Sequence, residues 1–184
     1  MLQTMTRLVG VVLAMVVAFV GSCSSKSPPP PVQLERFVVK DYNWEIDGYD
    51  VLVVNADGSV TFVGALPERE QRDGRDVVVP VWHRVDGKVE PATVDALASH
   101  LAKARFQSLA SEYVDPEIED GENIEYVLAT RDGVKRVRFR NRYPDEVKDL
   151  RTFVQTELVH PQRAALATAR RLTYEEAEQF WSGL

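Results

Sequence analysis

The sequence predicts an α+β domain: an antiparallel sheet of about four to six strands with two main helices on one face and a short C-terminal helix. Three observations carry this. Two β-rich runs reverse at Asp57-Gly58, and two more reverse at Asp132-Gly133. Apolar residues recur at helical spacing in two stretches, Val94 to Ala104 and Val147 to Leu158. Strands grouped as hairpins, with helices between the groups, favour antiparallel pairing over repeated β-α-β units.

In chain order, residues 1–22 read as a leader. Arg7 supplies a positive flank, and Leu8 to Val20 is an apolar run broken only by Gly10. That length suits a signal-peptide core of about 7–15 residues and falls short of the roughly 20 that span a bilayer as a helix. The run ends in Val20-Gly21-Ser22-Cys23, which resembles a bacterial lipobox. The resemblance implies cleavage between Ser22 and Cys23, diacylglycerol on the cysteine, and commonly a third acyl chain (such as palmitate) on its amine. Each buried methylene contributes about 0.8 kcal/mol, so one chain anchors weakly and two or three anchor durably. Ser24, in place of an aspartate, implies the outer membrane, facing the periplasm, if the host is Gram-negative. Cys23 is the only cysteine, so the rest of the chain has neither an internal disulfide nor a thiolate metal cluster.

Residues 23–31 read as a lipidated tether. Ser24-Ser-Lys-Ser resists burial, and four consecutive prolines favour an extended polyproline II spacer. Residues 32–158 are the expected α+β domain and 159–184 a helical extension. Leu34 to Lys40 is the first strand, followed by a polar connection from Asp41 to Gly48. The hairpin around Asp57-Gly58 has an arguable register. A three-residue loop, Ala56-Asp57-Gly58, sets Val60 opposite Val54 and Phe62 opposite Leu52, gathering four apolar side chains on one face. The segment 67–76 is highly charged without apolar period and reads as a loop. Val77 to Val85 is a strand in which Pro80 requires an edge or bulge.

Pro91 suits a helix first turn, with Val94, Leu97, Leu101 and Ala104 buried and Phe106 and Leu109 closing the core. Tyr113 to Glu122 reads as an acidic loop. In the second hairpin the expected register sets Leu128 against Val137, Tyr126 against Phe139 and Glu125 beside Arg140. Pro144 opens a second helix with Val147, Leu150, Val154 and Leu158 inward, ended by His160-Pro161. Thr173-Tyr-Glu-Glu176 is a capping box for a final helix through Phe180-Trp181.

The order of these pieces resembles a domain-of-unknown-function family of bacterial secreted proteins and lipoproteins. The resemblance rests on Tyr49 to Gly64, on Val94 to Tyr113 with its Ala104-Arg-Phe-Gln-Ser-Leu109, and on the Asp132-Gly133 hairpin continuing into Arg138 to Asp149, and covers roughly Leu34 to Leu158. Members typically carry Cys-Phe-Gly-x-Cys-Pro-x-Tyr before the first hairpin. Here Tyr42-Asn-Trp-Glu-Ile-Asp-Gly48 stands in its place without cysteine. The resemblance therefore implies fold and location, and no activity.

The net charge is −6, and removing the leader takes away one cation, Arg7. An acidic domain has no general attraction to nucleic acid, so none is expected as a partner. His83, His100 and His160 are scattered over a strand, a helix and a helix end. The chain lacks Gly-x-Ser-x-Gly, His-Glu-x-x-His and a glycine-rich phosphate loop, which weighs against catalysis although a triad can converge in space. The acidic run from Asp115 fails the EF-hand spacing, since Asp120 and Tyr126 stand where glycine and glutamate belong. No metal or cofactor is expected. Alternation puts Arg136, Arg138, Arg140 and Arg142 on one strand face, a row suited to carboxylates or phosphates. Its bland counterpart is a solvated surface neutralised by nearby acids, Glu125 among them. Trp44 in the polar connection and the Phe180-Trp181 tail are candidate partner-binding aromatics, with core plugs as the commoner alternative. The expectation is a membrane-anchored, non-catalytic envelope lipoprotein that binds a protein or an envelope polymer. The alternative is a hydrolase or enzyme-inhibitor domain with a site near the arginine row or the charged loop 67–76.

Overall fold

The computed structural model describes residues 32–43, 48–118 and 121–184. Its strands are β1 (Leu34–Asn43), β2 (Gly48–Asn55), β3 (Ser59–Arg72), β4 (Arg75–Lys88), β5 (Glu112–Val114), β6 (Asn123–Thr130), β7 (Gly133–Arg140) and β8 (Arg170–Leu172). They form one sheet in the order β5-β7-β6-β1-β2-β3-β4-β8. The β5–β7 pair is parallel and the other pairs are antiparallel. The helices are α1 (Pro91–Lys103), α2 (Asp145–Phe153), α3 (His160–Ala165) and α4 (Tyr174–Ser182). A π segment, Val154–Val159, joins α2 directly to α3, so the described residues form three α-helical runs.

This corrects the expected antiparallel sheet of four to six strands with two main helices on one face. The sheet is mixed and eight-stranded, and the third helical run lies on the opposite face. The two strands that flank the sheet, β5 and β8, have three residues each, too few to show a period in the sequence. The charged segment 67–76 is not a loop either. Strands β3 and β4 continue through it as a ribbon paired from Pro67↔Pro80 to Arg72↔Arg75, turning at Asp73 and Gly74 with φ of 53° and 74°. Among the described residues no side chain of this ribbon is fully buried, only Glu68, Val77 and Val79 being half-buried, so both faces carry charge and the alternation that marks a half-buried strand is weak.

Apolar alternation sorts the core into two layers. Phe37 and Val39, Leu52 and Val54, Val60 and Phe62, Tyr126 and Leu128, and Val137 and Phe139 face α1 and α2, where Leu97, Leu101, Val147 and Leu150 meet them. The other face gathers Val38, Val51, Val53, Val63, Trp82 and Val127 beneath Ala177 and Trp181 of α4. Helix α4 begins with the expected capping box: Glu176 N–H donates to the Thr173 hydroxyl, and Glu176 accepts from Thr173 N–H. Gly48 lies under the Trp82 indole, where a Cβ would come within 2.4 Å of a ring carbon.

The first hairpin has the register its pattern requires, Val54↔Val60 and Leu52↔Phe62, with Gly58 left-handed at φ 78°. The second is shifted by two residues from expectation. Leu128 faces Lys135, Tyr126 faces Val137, and Glu125 faces Arg138. The turn closes more tightly, with Thr130 directly opposite Gly133 and the Thr130 hydroxyl donating to the Gly133 carbonyl. A shift of two preserves which residues face inward, so apolar pattern alone does not distinguish the registers. Pro161 does not end the second helix. Proline removes a donor and crowds the preceding turn, and the π segment's wider coil ends one residue before His160-Pro161.

Strand polarity gives the domain two ends. β1 starts at Leu34 beside Asn55 and Thr130, at the end holding both tight turns. The far end holds Asp41, the start of β2 and the tip of the β3–β4 ribbon. The chain preceding Val32 therefore joins the domain at the end opposite the ribbon tip.

Candidate functional site

At the far end, charged residues occupy positions that the apolar pattern reserves for core. Asp41 follows Phe37 and Val39 on the face toward α2, and Asp50 precedes Leu52 and Val54 on the same face; the two are direct cross-strand partners. Like charges placed opposite one another repel, so the pair persists only with compensation nearby. Three elements supply it. Arg163 of α3 pairs with Asp50, whose side chain is 8% exposed, and Ala65 N–H donates to the same carboxylate at 3.2 Å. Arg151 of α2 pairs with Glu122, just before β6, through contacts of 2.6 and 2.8 Å. The Tyr143 hydroxyl donates to Glu122 at 2.6 Å, and the Arg151 guanidinium lies 4.4 Å above the Tyr143 ring.

Asp41 is the member left over. Among the described residues its carboxyl has neither a hydrogen bond nor an ion pair. Burial pushes its pKa up to about 6, and the charges of Glu122 and Asp50 add to the rise against the opposing pull of Arg163 and Arg151. Burial also raises Asp50, against Arg163 and the Ala65 N–H. Beneath them the Tyr126 hydroxyl and Arg151 Nε are buried without hydrogen-bond partners among the described residues. Burial raises the phenol of Tyr126, whose hydroxyl also feels Arg151, Glu122 and Asp41. Among the described residues the site thus sets three carboxylates against two guanidiniums and buries the unsatisfied Tyr126 hydroxyl and Arg151 Nε beside them. Among the described residues no group of three or more His, Cys, Asp or Glu is placed to hold a metal ion.

These residues were missed in the sequence, although a signal was present. Asp41 and Asp50 share the parity of the core residues that flank them, and an acid on a buried face requires an explanation. The residues picked from sequence fare differently. Ser22, Cys23 and Trp44 lie outside the described residues. Arg136, Arg138 and Arg140 do share the sheet face opposite Val137 and Phe139, but Arg142 does not belong to the row. β7 ends at Arg140, and Asn141, with φ 60°, breaks the alternation. Arg136 lies 3.6 Å from Glu125 and donates to the Leu184 carbonyl at 2.9 Å, while Arg138 lies 4.0 Å from Glu112. Lys40 donates to the Trp181 carbonyl at 3.0 Å. Arg136 and Lys40 therefore tie down the C-terminal end of α4, where helix carbonyls attract cations. The groove beside them, about 190 Å³, is lined by Ser111, Glu112, Glu125, Arg136 and Arg138, with acids and arginines already matched. The histidines do not converge: His83 is buried, His100 stacks on Phe153 at 4.7 Å, and His160 is exposed. Phe180 and Trp181 serve as core plugs, Trp181 packing 4.7 Å from Trp82 and Arg84 capping Phe180.

No protein-family model matches the chain, and no curated protein is significantly similar to it. The geometry of the domain therefore carries the functional reading.

Proposed function

We propose that this chain is a lipid-anchored envelope protein whose domain acts by binding, without catalysis. The leader and the lipobox-like Val20-Gly21-Ser22-Cys23 support the anchor, and the proline run supports a spacer that lifts the domain off the membrane. The observation that carries the reading is the domain's polarity. Val32 lies at the end with the tight turns, which supports a reading in which the β3–β4 ribbon and the Asp41–Asp50 cluster lie on the side away from the anchor. A two-stranded ribbon with Val78 67% exposed gains stability from a partner surface. The partner is an envelope protein or polymer reached at this far end.

Two measurements test the reading. Cys23→Ser is expected to abolish lipid labelling and release the protein from membrane fractions; unchanged retention overturns the anchor. A photo-crosslinking residue at Val78, on the ribbon, is expected to capture a specific partner in intact cells. The same residue at Val134, 62% exposed at the tether end, is expected not to. Equal capture from both positions overturns the far-end docking. The enzyme-inhibitor alternative keeps one observation in its favour, because a projecting ribbon has the shape of a segment that enters a cleft; the captured partner's identity decides between the two.

A further inference from the structure

We infer that the cluster around Asp41 is a binding site for a primary ammonium group, of the kind a partner's lysine presents. The inference rests on the proposed binding role and names the chemistry of the contact. Three observations carry it. Among the described residues the charge count is unbalanced: Asp41, Asp50 and Glu122 face Arg151 and Arg163, whose Nη2 atoms pair with Glu122 and Asp50, leaving Arg151 Nε buried without a hydrogen bond. Among the described residues of the cluster the carboxyl without a partner is Asp41, half-buried at the sheet end opposite Val32. The Tyr126 hydroxyl, on a side chain 0% exposed, has no hydrogen-bond partner among the described residues and lies in the field of Asp41, Glu122 and Arg151. A carboxylate and a phenol oxygen are acceptors for the compact, three-donor head of an ammonium. A guanidinium offers a planar fork that is satisfied best by two free oxygens of one carboxylate, whereas Asp50 and Glu122 already accept from Arg163, Ala65 N–H, Arg151 and Tyr143.

Among the described residues the groups around Asp41 are Asp50 on β2, Ile124 and Tyr126 on β6, Glu122 ahead of β6, Tyr143 between β7 and α2, Arg151 on α2 and Arg163 on α3. The two acids oppose ionisation of Asp41 more than the two arginines favour it, so the site holds excess negative charge once Asp41 ionises. A proton on Asp41 satisfies that excess in acid, and an ammonium takes its place at neutral pH. Binding therefore strengthens as pH rises through about 6 and releases a proton near that pH.

The test uses the full-length protein in detergent with cadaverine as probe and 1,5-pentanediol as its uncharged counterpart. Cadaverine at millimolar concentration is expected to raise the thermal midpoint at about pH 7.5 and to lose at least about tenfold in affinity at about pH 5. The diol is expected to do nothing. Asp41→Asn is expected to abolish the response, and Tyr126→Phe to weaken it several-fold. In the wild type, the carboxyl ¹³C resonance of Asp41 is expected to move with cadaverine, a readout independent of how the variants fold. A resonance that titrates near 6 and ignores cadaverine overturns the inference in favour of a proton-only site. An equal response to the diol, or an unchanged response in Asp41→Asn, also overturns it. None of these outcomes bears on lipid labelling or on crosslinking from Val78, so this inference and the binding role fail separately.

Discussion

Asp41 and Asp50 stand directly opposite each other on β1 and β2, on the face that buries Phe37, Val39, Leu52 and Val54. A fold that used this face only for packing would place apolar residues at both positions. Here two acids are kept, and the helical run from Asp145 to Ala165 reaches over them with an arginine on either side of its π segment. Those two arginines hold the run to the sheet end through Glu122 and Asp50. A π segment between two such anchors sets the turn at which Arg163 meets Asp50, consistent with the frequent placement of π bulges at working sites.

The sign of the resulting pH dependence is opposite to that of an ordinary salt-bridged acid. Asp41 has a folded pKa near 6, above its value in the unfolded chain. Its contribution is fully present below about pH 4 and is lost as pH rises through 6. Urea unfolding is expected to show this domain losing about 1 kcal/mol between pH 5 and pH 7.5 through this group, after allowance for its partial exposure. Asp41→Asn is expected to remove that slope and to stabilise the protein at pH 7.5 by a similar amount. A slope of the opposite sign that persists in the variant excludes Asp41 as its origin.

Arg163→Ala leaves Asp50 buried beside Asp41 without its ion pair. Losing one partner of a buried pair costs about 3–5 kcal/mol when both are enclosed. Arg163 is 52% exposed, so about 1–3 kcal/mol is expected here. Asp50→Asn combined with Arg163→Ala is expected to recover part of the loss, because the uncompensated charge goes with it. A double-mutant cycle by chemical denaturation reads the coupling directly.

Gly48→Ala tests the second core layer. A methyl at this position would sit 2.4 and 2.5 Å from two carbons of the Trp82 ring, which is itself packed against Trp181. Trp82 is buried against Trp181, so overpacking of about 1–3 kcal/mol is expected, with a change in tryptophan fluorescence. Wild-type stability in this variant would show that α4 moves freely on the sheet.

The local pattern made the central hairpins, α1 and the capping box of α4 legible, because each writes its signal within a few adjacent residues. Gly58 and the spacing of Leu52, Val54, Val60 and Phe62 determine a register unaided. What escaped was set by tertiary neighbours. Arg170, Arg171 and Leu172 are a strand because β4 lies beside them, and Glu112 to Val114 because β7 does. The candidate site escaped for the same reason. Asp41, Asp50, Glu122, Arg151 and Arg163 are spread over more than a hundred residues and meet only when β1, β2 and the long helical run are assembled. The arginine row was visible because one strand carries it, yet Arg136 serves chiefly to hold the end of α4.

The ribbon separates docking from folding. Among the described residues no third strand pairs with it from Pro67 to Pro80, and its side chains make surface ion pairs, Arg72 with Glu70 along β3 and Glu68 with Arg171 of β8. Such pairs contribute about 0–1 kcal/mol each. Leu66 and Val81 are direct partners at its base, so an Asn-Gly turn can join them as a two-residue hairpin loop. Replacing residues 67–80 by that turn is expected to change stability by about 1 kcal/mol or less and to leave β8 and α4 in place. The shortened protein is expected to remain membrane-bound and to lose the partner that Val78 captures. If it instead unfolds, the ribbon belongs to the core of the domain; if it folds and keeps the partner, the contact lies elsewhere on the far end, with the Asp41 cluster next to be tested.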